Sequence, residues 1–233
     1  MHLMHPMHTH RTFNHLLILL VLATIVLAEI GYIGAQAGRV FATPYTSPIL
    51  SSGLSLEVIG DSISVGLYAT QRSASFPRLL ASAIHGPLVS GYSKSGIDSP
   101  QMYAWLRQHT LARANIVIVE IGTNDSSADF SRFQTDYPLM VPLIMSYNSG
   151  AILVCLGPWQ PKTAFEETIA TTIQTVCSTN GGLYVSLFAL YANNAYHGPA
   201  NTPTWAGPSN WFHPNNAGHR AIAQAIEQAL DAR

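Results

Sequence analysis

The chain has 233 residues, 48% of them hydrophobic and 10% charged, and a formal net charge of −1. That balance excludes a disordered chain and fits one globular domain with a sizeable core. Two lysines, Lys94 and Lys162, leave no basic face for phosphate backbones, so nucleic acid is not an expected partner.

Residues 1–15, "MHLMHPMHTHRTFNH", hold half of the histidines, and the apolar run "LLILLVLATIVLA" follows at 16–28. Residues 1–37 therefore read as a His-rich leader with a signal peptide or a membrane anchor. As a signal peptide the segment has Arg11 ahead of the apolar run and small-residue cleavage sites after Ala28 or Ala37. As an anchor it runs to about Ala35, close to the ~20 residues a span needs, with Glu29 near the far interface. Either reading makes the protein secreted or membrane-anchored, and extracytoplasmic. Residues 38–53, "GRVFATPYTSPILSSG", are rich in Ser, Thr, Pro and Gly and read as a linker to a folded domain over 54–233.

Within that domain short apolar runs alternate with helical patterns. Strands are predicted at Leu56–Ile59, Leu88–Gly91, Ile116–Ile121, Ala151–Leu156 and Leu183–Leu187. Helices are predicted near Phe76–Ile84, Pro100–Ala112, Phe130–Tyr147, Ala164–Thr179 and Asn216–Ala232. Ser99 before Pro100 is an N-cap signal, whereas Pro138 and Pro142 predict a kink or a split in the third helix. The alternation implies an α/β fold, three-layer α/β/α, with a five-stranded parallel sheet and right-handed crossovers. Ligands of such sheets sit beyond the carboxyl ends of the strands. Cys155 and Cys177 either bridge a strand to the following helix or remain two buried thiols.

Chemistry-bearing residues collect at those strand ends. Gly60-Asp61-Ser62 follows the first strand, Gly96 the second, and Gly122-Thr123-Asn124-Asp125 the third. His213 stands in "SNWFHPNNAGH" ahead of the last helix. A serine hydroxyl needs a base to become a nucleophile, and His213 can be that base for Ser62. The oxyanion of acyl transfer needs donors, which the backbone N–H groups of Ser62 and Gly96 and the side-chain amide of Asn124 can supply. Asp61 and Asp125 read as loop-fixing residues, and His219 as an exposed helical one.

Taken together, these blocks resemble the SGNH or GDSL hydrolases. "GDSIS" matches the first block with Ser62 as nucleophile, Gly96 the second, "GTND" the third through Asn124, and "HPNNAGH" the last through His213. The resemblance covers roughly residues 56–230. It implies the flavodoxin-like three-layer fold of that family and a serine ester hydrolase. Its expected substrates are small-molecule or glycan esters: short-chain acyl esters or carbohydrate O-acetyl esters. The aromatic residues Tyr191, Tyr196, Trp205 and Trp211 can stack on sugar faces, border an acyl chain, or simply pack their own loop.

One position departs from the family pattern. Where the last block usually carries an acid three residues before the histidine, this chain has Asn210, and no aspartate lies between Asp136 and Asp231. The carbonyl oxygen of Asn210 can hold the productive tautomer of His213, but it supplies no charge for the imidazolium, and a flipped amide favours the wrong tautomer. A main-chain carbonyl is an alternative orienting group. The expectation is an active Ser62–His213 enzyme assisted by Asn210, and the competing reading is a binding protein that keeps the pocket with little turnover. No metal or other cofactor is expected. The chain carries no HExxH pair, His213 and His219 lack a shared ligand spacing, and neither a P-loop nor a GxGxxG fingerprint occurs.

Overall fold

The computed structural model of the chain describes residues 53–89 and 91–233. The leader, and the linker up to residue 52, lie outside the described residues. Four apolar runs form parallel strands: β1 (Leu56–Gly60), β2 (Ile116–Glu120), β3 (Ile152–Leu156) and β4 (Leu183–Val185). They pair in the order β1-β2-β3-β4. Ile and Val dominate these strands, as suits a parallel sheet covered on both faces. The exceptions are Glu57 and Glu120, two carboxyls buried inside the sheet.

The predicted second strand is not a continuous one. Its segment meets β1 at two parallel bridges, Leu56↔Leu88 and Gly60↔Ser93. Four steps along β1 thus face five along the outer segment, so the edge carries a one-residue bulge. Gly91 sits there because a Cβ would run into the Val58 carbonyl oxygen. The expected five strands become four plus this bulged edge.

Among the described residues seven α-helices accompany the sheet: α1 (Ser62–Val65), α2 (Phe76–Ala83), α3 (Ser99–Leu106), α4 (Phe130–Tyr147), α5 (Ala164–Thr179), α6 (Phe188–Tyr191) and α7 (Asn216–Asp231). Phe76 and Leu80 of α2 and Ile222 and Ile226 of α7 pack with Leu56, Val58, Ile118 and Val154 on one sheet face. Met102 of α3, Phe133 and Met140 of α4 and Ile169 of α5 pack with Ile59, Val117, Val119 and Leu153 on the other. The result is the expected α/β/α layering.

Local differences have physical reasons. Asp98, not Ser99, caps α3 by accepting the Gln101 N–H at 2.9 Å, while the Ser99 hydroxyl donates to Asp125 Oδ2 at 2.8 Å. The α3 helix stops at Leu106, short of the predicted Ala112, because the chain must straighten into β2, where the Asn115 N–H bonds the Ser55 carbonyl. Helix α4 is not split. Gln134 and Pro142 are exposed and Pro138 half-buried, so carbonyls deprived of an N–H partner on that side meet water. The last strand ends at Val185, two residues early, and Leu187 becomes the cap of α6.

Cys155 of β3 and Cys177 of α5 are bridged, with Cα atoms 6.0 Å apart. The bridge ties the sheet to its covering helix. With the outer segment on one side of β1 and β2 on the other, the chain reverses direction across the sheet at β1. The crevice at such a reversal is where open α/β sheets bind ligands, and Ser62 follows β1 directly.

Candidate active site

The turn after β1 is built from its small and acidic residues. A Cβ on Gly60 would collide with the Ser64 hydroxyl and come within 2.7 Å of the Glu120 carbonyl oxygen, so the position takes only glycine. Asp61 then caps α1, its Oδ1 accepting the Ile63 N–H at 2.9 Å. Its Oδ2 accepts from Asn124 Nδ2 at 3.1 Å. Ser62 opens α1 with its side chain turned toward His213.

The Ser62 hydroxyl lies 3.0 Å from His213 Nε2. On the far side of the ring, Nδ1 is 3.1 Å from Asn210 Oδ1. That oxygen also accepts the backbone N–H groups of Phe212 and His213, each at 3.0 Å. These two donors fix the amide: a flip would set its hydrogens against two N–H groups. Nδ1–H therefore donates to Asn210, and Nε2 is left as the acceptor for the serine proton. Tyr68 and Phe212 close on the imidazole edge-to-face, at 4.9 and 5.1 Å between centroids. Tyr68 does so from a left-handed φ of +63°, an unusual conformation for a bulky residue. Burial holds His213 well below its usual value, down to about 4, which keeps it neutral at pH 7.

The loop behind His213 is tied to the loop after β3. The Phe212 carbonyl accepts the Trp159 indole N–H at 2.8 Å, and His197 Nδ1 lies 3.1 Å from the same oxygen. His219 is not the exposed residue that the sequence suggested but is fully buried. Its Nε2–H donates to the Leu67 carbonyl at 3.1 Å, and its Nδ1 accepts the Phe76 N–H at 3.4 Å. It joins the loop after α1 to the start of α2, a structural role.

Gly96 has a φ of +76°, and nothing lies within 4 Å of where a Cβ would stand, so its backbone faces open space. Among the described residues, no acceptor pairs the N–H groups of Ser62 and Gly96. Asn124 directs its amide hydrogens at Asp61 Oδ2 and at the Ile97 carbonyl, 3.0 Å away. Asp125 accepts from Ser99 and fixes the loop, as expected of it.

Sequence reasoning overlooked Glu120. It is 1% exposed and lies directly under the serine turn, accepting the Asp61 and Ser64 N–H groups at 3.2 Å and the Ser64 hydroxyl at 2.8 Å. A lone carboxyl inside the run "IVIVEIG" was its signal. Burial pushes it well above the ordinary carboxylate value, with the neighbouring Asp61 charge adding to the effect. Burial also pushes Asp61 up, to about 6.

Two clefts flank the histidine loop. One, of about 290 Å³, is lined by Tyr68, Thr70, Pro199, Thr202 and Asn216 among others. The other, of about 380 Å³, is lined by Tyr191, Asn194, His197 and Trp211. Of the candidate stacking residues, Tyr191 packs with Trp159, His197 and Phe212, and Tyr196 packs on the core. Trp205 donates to the Gly66 carbonyl at 3.1 Å under the Arg72 guanidinium. Trp211 differs: it is 65% exposed, and one side of its six-membered ring lies on Gly198, where a Cβ would collide with it. Among the described residues, no group of three or more His, Cys, Asp or Glu is placed to hold a metal, and no helix is long and apolar enough to cross a membrane.

The model of the GDSL-like lipase/acylhydrolase family matches residues 58–221. No curated protein matches the chain by sequence. Among solved structures, a carbohydrate esterase family 2 enzyme with a carbohydrate-binding domain, from Corynascus thermopiles (Myceliophthora fergusii), is similar at 16% identity and a TM-score of 0.54. The match covers 76% of this chain but 65% of that one, so this chain spans slightly under two thirds of its length. A psychrotrophic esterase, EstA from Pseudoalteromonas sp., is 14% identical with a TM-score of 0.57, covering 76% of this chain and 97% of that one. A variant of the acetyl xylan esterase Axe2 from Geobacillus stearothermophilus is 16% identical with a TM-score of 0.59, covering 78% and 96%. At these identities the likeness is one of fold.

Proposed function

The chain belongs to the GDSL-like lipase/acylhydrolase family, and from that premise we propose that it is an exported serine hydrolase of short-chain acyl or carbohydrate O-acetyl esters. The observation that carries the reading is the line Ser62 Oγ, His213 Nε2, His213 Nδ1, Asn210 Oδ1, joined at 3.0 and 3.1 Å. His213 takes the Ser62 proton as the hydroxyl oxygen attacks the ester carbonyl carbon. The resulting oxyanion is met by the N–H groups of Ser62 and Gly96. Asn124 joins them by turning toward the oxyanion one of the hydrogens it now directs at Asp61 and Ile97. The imidazolium then gives its proton to the leaving alkoxide, and the alcohol departs from an acyl-Ser62. Water, deprotonated by His213, attacks that acyl group; the acid leaves and the proton returns to Ser62.

Trp211 supports the carbohydrate part of the reading. A flat ring backed by Gly198, open to solvent and two residues from His213, suits stacking on a sugar face of the alcohol portion. Relatives in fold include an esterase described as active on acetylated mannans, co-crystallized with mannopentaose. Export rests on the leader, and the Cys155–Cys177 bridge suits an oxidising compartment.

Asn210 is the one observation that favours the second reading, a pocket-keeping binding protein, since it leaves the imidazolium without a neighbouring charge. Purified protein with an aryl acetate and with acetylated xylan separates the two. Turnover that falls at least a thousandfold in Ser62→Ala is expected, and a rate unaffected by that substitution overturns the hydrolase reading. Stacking is worth roughly 0.5–1.5 kcal/mol, so Trp211→Ala is expected to raise KM for the glycan about three- to tenfold more than for the aryl acetate. Equal effects on both substrates would remove Trp211 from the sugar site.

A further inference from the structure

Glu120 is not needed for the scheme above, yet among the described residues no side chain makes more bonds to the serine turn. Its Oε2 receives three donors from the six residues that follow β1: the Asp61 N–H, the Ser64 N–H and the Ser64 hydroxyl. Its Oε1 receives the Thr123 hydroxyl at 3.4 Å, and that hydroxyl oxygen accepts the Trp159 N–H at 3.1 Å. The carboxyl thus sits where the end of β1, the start of α1, the loop after β2 and the loop after β3 meet. We propose that Glu120 is the positioning residue of the nucleophile turn and that it works protonated, donating its single proton to Asp61. The inference rests on Ser62 being the nucleophile.

The protonated form follows from what surrounds it. Asp61 and Glu120 share one buried site, and among the described residues no lysine, arginine or histidine is paired with either. Two carboxylates so placed cannot both ionise. Both Asp61 oxygens accept a close donor, the Ile63 N–H at 2.9 Å and the Asn124 amide at 3.1 Å, whereas Glu120 Oε1 has only the Thr123 hydroxyl at 3.4 Å, so the shared proton sits on Oε1. Burial, and then the Asp61 charge, push Glu120 well above the ordinary carboxylate value. The Glu120 charge acts on Tyr137 of α4 and the Asp61 charge on Asp125 of the loop after β2, neither of which adds a positive charge, and His213, reached through Ser62, is held neutral by burial. Neutral Glu120 therefore has one oxygen for the turn and one proton for Asp61. Loss of that proton as pH rises would set a second negative charge against Asp61 and open the turn that carries Ser62.

The test uses the full chain and two readouts: fluorophosphonate labelling of Ser62, and the pH profile of kcat and KM on an aryl acetate. Glu120→Leu is expected to slow labelling and lower kcat at least tenfold with KM within twofold. Glu120→Gln, whose amide accepts at the turn and donates to Asp61 but has no proton to lose, is expected to restore most of that loss and to extend activity to higher pH. Should Glu120→Leu fail to fold, Glu120→Asp takes its place: one methylene shorter, it cannot reach both Ser64 and Asp61, and the same fall in kcat is expected. Wild-type labelling rates in Glu120→Leu or Glu120→Asp overturn the positioning role. A Gln variant as impaired as the Leu variant overturns the protonated form. Absence of labelling at Ser62 in the unaltered protein overturns instead the nucleophile assignment, so the two failures are distinguishable.

Discussion

Replacing Asn210 with aspartate changes one charge at one hydrogen bond and leaves the rest of the site in place. Oδ1 already lies 3.1 Å from His213 Nδ1 and already accepts the Phe212 and His213 N–H groups, so an aspartate oxygen inherits three donors without rebuilding the loop. What it adds is a negative charge about 4 Å from the middle of the imidazolium, worth about 4 kcal/mol at an effective dielectric constant of about 20. Desolvation of the new carboxylate offsets part of that, and each 1.36 kcal/mol is about tenfold in rate, so Asn210→Asp is expected to raise kcat between roughly ten- and a thousandfold. The same charge favours the protonated ring, so His213 should rise from about 4 toward its ordinary value. The acid limb of the pH–rate profile should then move upward by one unit or more. Steady-state kinetics on an aryl acetate from pH 4 to 9, for both proteins, measure the two effects together. An unchanged kcat with an unmoved acid limb would refute the reasoning that charge, not orientation, is what Asn210 withholds.

Two further outcomes concern stability. Closing a 22-residue loop through Cys155 and Cys177 is worth about 3 kcal/mol by the loop-entropy argument, so reduction should lower Tm by roughly 6–12 °C. Thermal unfolding of the oxidised protein and of protein reduced until two thiols titrate measures this, and a shift under 2 °C contradicts it. Glu57 is fully buried, with Oε2 accepting from Asn148 at 2.9 Å and Oε1 without a partner among the described residues. Burial raises its pKa from 4.5 to about 7. A carboxyl raised on folding contributes its full stability below its unfolded value and loses that contribution as pH rises through its folded one. Glu57→Gln, which cannot ionise, should therefore gain about 2–3 kcal/mol on the unaltered protein between pH 4.5 and pH 8. Denaturant curves at the two pH values that shift in parallel for both proteins would contradict this.

The sequence was most legible where a signal was long and local. Helices α4 and α5 lie at the predicted Phe130–Tyr147 and Ala164–Thr179 because each carries a full apolar stripe, and Thr163 caps α5 with a bond to the Glu166 N–H. Elsewhere a distant partner decided. Asp98 and Ser99 are both good caps, and Asp125, 26 residues on, claims the serine. The edge segment reads as apolar and strand-like, yet Gly91 presses on the Val58 carbonyl, a contact that no periodicity reveals. His219 reads as solvated until α7 is laid beside α2 and the Leu67 carbonyl meets its ring. Ser62, His213 and Asn210 stand out in the sequence because the strand ends converge, and the structure brings these three within hydrogen-bond distance; Glu120 does not stand out, because inside an apolar strand it matches no motif.

In the proposed mechanism the geometry also redistributes the burden of catalysis. A base held near 4 is wholly neutral at pH 7 but weak, and Asn210 orients it without helping it to charge. Proton transfer from Ser62 to His213 is then uphill unless the developing oxyanion is strongly held, because the two charges form together. The weight falls on donors that are already in place and unengaged: the N–H groups of Ser62 and Gly96, one fixed by the capped turn over Glu120 and the other by a left-handed glycine. In such a site the shape of the nucleophile turn matters more than it would beside a charged triad. A carboxyl that braces that turn without adding a second charge is the residue type this arrangement requires.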